Sequence, residues 1–182
     1  MGIKCLQELH ETAPSAQNDA TELVDLLSTA KAGQVDALLA ELTKLGPSKP
    51  YLEFTLLTAM NTRGQNVRPE LLSEFAKSSD FMVRQTACLI GARQGNRLDL
   101  SNLFNELMNA DGIGCCILYG SLEELIGAAV EPPPPPAQKD GKTINEWKQQ
   151  AMNWREAHIK NLIYTKEIKP GQAFWLMSKK SQ

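Results

Sequence analysis

The stretch Glu70-Leu71-Leu72-Ser73-Glu74-Phe75-Ala76-Lys77-Ser78-Ser79-Asp80-Phe81-Met82-Val83-Arg84-Gln85-Thr86-Ala87-Cys88-Leu89-Ile90-Gly91 decides the fold class. Leu71, Leu72, Phe75 and Ala76 fall at helical spacing and give one apolar face. Pro69, just ahead, suits a first helical turn, where a missing N–H leaves no bond unmade. Ser78-Ser79 breaks the pattern. Asp80 can then cap a second helix, because its carboxylate accepts from N–H groups that have no intrahelical partner. Val83, Ala87, Ile90 and Gly91 share the inner face of that helix, and Gly95 ends it.

The same pattern extends in both directions. Upstream, Asn18 or Asp19 caps a helix carrying Leu23, Leu26, Leu27 and Ala30, which Gly33 stops. A further helix carries Val35, Leu38, Leu39 and Leu42 and ends at Gly46-Pro47, since proline cannot continue a helix interior. Ser48 to Pro50 opens a helix with Phe54, Leu57 and Met60 inside, ending near Arg63-Gly64. Downstream, Asp99 or Ser101 begins a helix with Leu103, Phe104 and Leu107 inside. Asp111-Gly112 turns the chain into a helix through Cys116, Ile117, Leu122, Leu125 and Ile126. Gly2 to His10 can add a short N-terminal helix with Ile3, Leu6 and Leu9 turned inward. No stretch alternates cleanly enough to predict a strand.

Leu39, Leu72 and Leu103 take similar places in three successive helix pairs, roughly thirty residues apart, as in repeat architectures. The middle pair resembles a HEAT repeat. Asp80, Val83, Arg84, Ala87 and Gly91 match its pattern of turn Asp, Val-Arg, small residue and Gly. The third pair keeps Asp111 but has Cys115-Cys116 where Val-Arg would stand. The first has Gly46-Pro47 at its turn and Pro50-Tyr51 in that place. The resemblance spans about residues 20 to 127 and implies an all-α, short right-handed α-solenoid. In the family the Asp caps the second helix, Val and Ala face the core, and the Arg often ties neighbouring repeats. The competing architecture is an irregular helical bundle.

Composition shifts at Glu131, which predicts three segments: helical repeats over 1–130, a proline-rich linker over 131–142, and a capping helix with tail over 143–182 on the same domain. Pro132 to Pro136 must be extended, as polyproline II. Thr143-Ile144-Asn145-Glu146 fits a capping box. Ile144, Trp147, Ala151, Trp154, His158 and Leu162 then lie on one helical face. Trp147 and Trp154 either clamp this helix to the last repeat or line a partner groove. Lys169-Pro170-Gly171 is a turn, Ala173 to Met177 a short extended segment, and Lys179-Lys180 a solvated tail.

Function is bounded mainly by missing chemistry. The net charge of -2 excludes broad electrostatic capture of nucleic acid or anionic membrane, while leaving room for a local basic patch. Met1 to Glu11 lacks the apolar core of a signal peptide, and no segment has transmembrane length, so a cytoplasmic protein is expected. Cys5, Cys88, Cys115 and Cys116, with His10 and His158, show no zinc spacing. No phosphate loop and no Gly-x-Ser-x-Gly elbow occur. Glu22/Asp25 and Glu123/Glu124 fall on solvated faces.

The expectation is a non-catalytic protein-interaction or scaffold module with no cofactor or metal, whose partner is another protein. Neither membrane nor nucleic acid is expected as a partner. The HEAT resemblance implies a binding surface of second-helix side chains, with Arg63, Arg84, Arg93 and Arg97 marking one edge. Each arginine could equally be solvated or part of an inter-repeat ion pair. If Trp147 and Trp154 line a groove, they join that surface. The alternative is a HEAT-like lyase or a cofactor- or nucleic-acid-handling protein, with Cys115-Cys116 as the place for thiol chemistry.

Overall fold

A computed structural model describes residues 50–62, 64, 66–127, 141–166 and 172–178, with the helical positions Gln34, Ala37 and Ala40. The expected helices before residue 34, most of the Val35–Leu42 stripe, Arg63, Pro132 to Pro136, the Lys169-Pro170-Gly171 turn and Lys179-Lys180 lie outside the described residues. The chain divides into two compact units, Met1–Ile90 and Gly91–Gln182. α-Helices dominate both among the described residues. No helix among them is long and apolar enough to cross a membrane.

In the first unit, α1 spans Pro50–Thr62 and α2 spans Pro69–Phe75, while α3 (Phe81–Arg93) begins there and ends beyond the boundary. Leu57 and Met60 of α1 are buried as expected, together with Leu52 and Leu56, while Phe54 is half-buried and packs against the same core. Leu71, Leu72 and Phe75 of α2 join Val83, Ala87 and Ile90 of α3 in one apolar cluster with the α1 residues. Fully burying each of the Leu, Ile, Val, Phe and Met side chains in it contributes about 1.5–3 kcal/mol. Asp80 caps α3: the Val83 N–H donates to its Oδ1 at 3.0 Å.

In the second unit, α4 (Arg97–Asn109) packs against both α5 (Gly112–Ile126) and α6 (Gly141–His158). The α4 cap is Asn96, whose Oδ1 accepts from the Leu98 N–H at 3.0 Å, rather than Asp99 or Ser101. Asp99 lies within the first turn and is buried. Leu100, Leu103, Phe104 and Leu107 form the inner face of α4. Asp111 caps α5, accepting from the Gly114 N–H at 2.7 Å. Its inner stripe runs through Cys115, Leu118, Leu122, Leu125 and Ile126; Cys116 is exposed and Ile117 half-buried. Gly127, at φ 78°, closes the helix in a backbone region that favours glycine. α6 begins at Gly141, ahead of the expected Thr143 cap.

The stripe predicted to run to Leu162 stops earlier. α6 ends at His158, and Ile159–Asn161 forms a 3-10 turn. Leu162–Tyr164 is then strand β1, antiparallel to β2 (Trp175–Met177), with Leu162 opposite Met177, Ile163 opposite Leu176 and Tyr164 opposite Trp175. The β-branched and aromatic residues Ile159, Ile163, Tyr164 and Thr165 favour the extended form over another helical turn. Leu162 is buried all the same, on the strand instead of the helix.

Candidate interaction surface

The last turn of a helix leaves carbonyls without intrahelical partners. At the end of α3 the ribbon's aromatic residues satisfy two of them. Trp175 Nε1–H donates to the Ala92 carbonyl at 2.9 Å, and the Tyr164 hydroxyl donates to the Arg93 carbonyl at 2.7 Å. The Asn96 N–H donates to the Gly91 carbonyl at 2.9 Å. Gly95, at φ 93°, makes the turn, and a Cβ there would lie 2.9 Å from carbons of the Tyr164 ring. Glycine at this position therefore serves both the turn and the close seating of the ring.

Arg97 fixes the ribbon from its first strand. Its guanidinium donates to the Lys160 carbonyl at 3.0 Å and to the Leu162 carbonyl at 2.7 Å, and lies 5.7 Å from the centroid of the Trp175 ring. Arg93 pairs with Glu124 of α5 and lies over the Phe174 ring. Arg84 donates to the Ser78 and Ser79 carbonyls, both at 2.8 Å, bracing the turn before its own helix. Of the four arginines read as one edge, Arg93 and Arg97 thus engage the C-terminal ribbon and its surroundings, Arg84 engages its own turn, and Arg63 lies outside the described residues.

The two tryptophans of α6 differ. Trp147 is buried and meets Tyr119 of α5 edge-on, at 6.3 Å between centroids. Trp154 is half-buried, stacked on Phe104 at 5.7 Å and tilted against His158 at 5.0 Å. Arg155, beside it, donates from Nε and Nη2 to the Ser101 hydroxyl. These contacts hold α6 to α4 and α5.

Two groups carry perturbed acidity. Burial pushes the Asp99 carboxyl up to about 6, against the opposing effect of a hydrogen bond from the Asn96 side chain. Its Oδ2 would lie 1.9 Å from a Cβ on Gly91, so the carboxyl occupies the space a side chain would need there. Burial likewise raises the Cys115 thiol, while the Lys148 ammonium opposes the rise. Lys148 Nζ donates to the Ala110 carbonyl at 2.6 Å and to the Met108 carbonyl at 3.3 Å, capping the end of α4. Cys115 is buried and Cys116 exposed. Among the described residues, no group of three or more His, Cys, Asp or Glu side chains could hold a metal ion.

With its inner side fixed, the ribbon presents the other to solvent. Ile163 is 54% exposed and Leu176 38%, and they are direct cross-strand partners. Cross-strand partners project from the same sheet face with Cβ atoms about 5 Å apart. A second apolar surface lies at the start of α5, where Ile113 and Cys116 are both exposed at helical i, i+3 spacing. β2 falls within the short extended segment expected over Ala173 to Met177, whereas β1 and its pairing were not expected, because a strand of three residues is too short for alternation to register. The cluster Leu162-Ile163-Tyr164-Thr165, rich in strand-forming side chains, was the available signal.

No protein-family model, curated protein or solved structure matches this chain.

Proposed function

We propose that the chain is a non-catalytic protein-interaction module of HEAT-like helix pairs, working in the cytoplasm, with the ribbon face of Ile163 and Leu176 as its partner surface. The HEAT reading is supported by Asp80, which caps α3, and by Val83 and Ala87, which are buried as that pattern requires.

The observation that carries the reading is the exposed Ile163–Leu176 pair on a ribbon anchored from behind by Trp175, Tyr164 and Arg97. An isolated exposed apolar residue needs no explanation, but an opposed pair on a short open ribbon invites pairing or burial. The anchoring keeps that pair in one geometry before any partner arrives, which lowers the ordering cost of association.

The test is site-specific photocrosslinking in the source cells, with p-benzoylphenylalanine replacing Ile163 or Leu176 and, as control, the exposed Asn105. A discrete protein adduct from both ribbon positions and none from the control is expected. Absence of adducts from the ribbon positions would remove this surface, and with it the reading.

A further inference from the structure

The ribbon's charge points to the chemistry of its partner. Resting on the interaction reading above, we infer that the Ile163–Leu176 face receives an acidic, aliphatic peptide segment of a partner protein.

Charge is distributed unevenly along the chain. Residues 159–182 contain Lys160, Lys166, Lys169, Lys179 and Lys180 against the single acid Glu167, while the whole chain is net negative. The C-terminal segment is therefore basic and everything before it acidic. Within the described residues of this segment, Lys160 and Lys166 are exposed and flank β1 on either side of Ile163. Neither ammonium has an ion-pair partner among the described residues. The surface thus offers an aliphatic pair bracketed by positive charge.

The placement of the aromatic residues decides between classes of anionic partner. A bilayer surface is gripped by interfacial Trp and Tyr, and a single-stranded nucleic acid by aromatic stacking platforms. Here Trp175 and Tyr164 face inward, with their polar atoms committed to the Ala92 and Arg93 carbonyls. The outer face keeps branched aliphatic side chains, which supply burial without stacking. An extended peptide with aliphatic residues at alternate positions of a short core and acidic residues beyond both ends matches both features: the aliphatic side chains share one face and cover Ile163 and Leu176, while the terminal carboxylates reach the lysines that flank β1.

Fluorescence anisotropy on the full chain tests this with labelled peptides that carry a Leu-Ser-Leu core flanked by Glu (Glu–Leu), the same core flanked by Lys (Lys–Leu), or an all-Ser core flanked by Glu. Phosphatidylserine-containing vesicles and a labelled oligothymidylate complete the panel. The Glu–Leu peptide is expected to bind saturably and to weaken with added salt, as screening requires. Two double variants, Ile163→Thr with Leu176→Thr, and Lys160→Glu with Lys166→Glu, should each reduce its affinity about tenfold or more. Circular dichroism identical to the parent shows that both remain folded. Equal binding of the Lys–Leu peptide, or affinity unchanged in both variants, overturns the inference, as does capture by vesicles or oligonucleotide without Glu–Leu binding. If photocrosslinks at Ile163 and Leu176 persist while no acidic peptide binds, the acidic-segment inference falls and the interaction reading stands. Loss of the crosslinks removes both.

Discussion

The Arg97 guanidinium donates to the Leu162 carbonyl at 2.7 Å, joining the first turn of α4 to the first residue of β1. The same group reaches the Lys160 carbonyl and lies by the Trp175 ring, so one side chain sets the position of both strands. This geometry needs the planar fork of arginine, which lysine's single ammonium cannot reproduce. It also gives Arg97 a structural role whatever its part in binding.

Replacing Arg97 by Lys should therefore loosen the ribbon while preserving charge. The expected loss is about 1.5–3 kcal/mol, the range for hydrogen bonds to a charged group. Hydrogen exchange should show faster exchange at the ribbon amides, with the amides of α1 and α2 unchanged. Uniform protection across the ribbon in the variant would refute the clamp.

Gly91 and Asp99 should behave as a coupled pair. Gly91→Ala places a Cβ 1.9 Å from Asp99 Oδ2 and 2.7 Å from its Cγ, which forces a shift. Overpacking of this kind costs about 1–3 kcal/mol. In an Asp99→Ala background the colliding atoms are gone, and the residual contact is with the Asp99 Cβ at 3.1 Å. Denaturant midpoints across the four proteins of the cycle should show a smaller penalty for Gly91→Ala there. Additive losses would contradict the geometry.

Asp99 also predicts a pH dependence. Its folded-state pKa of about 6 lies above the ordinary carboxyl value of 3.8, so the fold favours the protonated form. The stability contributed by that proton is full below the ordinary value and is lost as pH rises through about 6. Asp99→Asn, neutral at every pH, should be more stable than the parent at pH 7.5 by on the order of 1–2 kcal/mol in denaturant unfolding. The gap should close as pH falls toward 4. A constant difference over this range would rule out desolvation of Asp99 as the cause.

The adjacent cysteines should separate cleanly in reactivity. The exposed Cys116 should be alkylated by iodoacetamide at once in the native protein. Cys115, buried and with its thiol pushed up by burial, should react only on unfolding. Mass mapping of native and denatured samples distinguishes the two. Early modification of Cys115 would show that its side of α5 opens in the native state.

Much of the helical layout was legible in advance because it depends on local chemistry. Asp80 could be recognised as a cap from its place before an apolar run, and Val83, Ala87 and Ile90 as core from their spacing. Local rules were less able to choose between neighbouring candidates. Asn96 caps α4 and Asp99 is buried beyond it, although both residue types cap helices well. Likewise Cys115 faces inward and Cys116 outward, an orientation that follows from where α5 packs.

The sequence by itself determined the helical class, the breaks between helices and the absence of familiar catalytic signatures, since propensity, capping and periodicity act over a few residues. Only the tertiary structure decided β1, its pairing with β2 and the exposed Ile163–Leu176 pair. Leu162–Tyr164 becomes a strand by meeting Trp175–Met177, by receiving Arg97 at its carbonyl and by supplying Tyr164 to the end of α3. Those contacts join residues far apart in the chain, and their formation depends on the packed helices that bring them together.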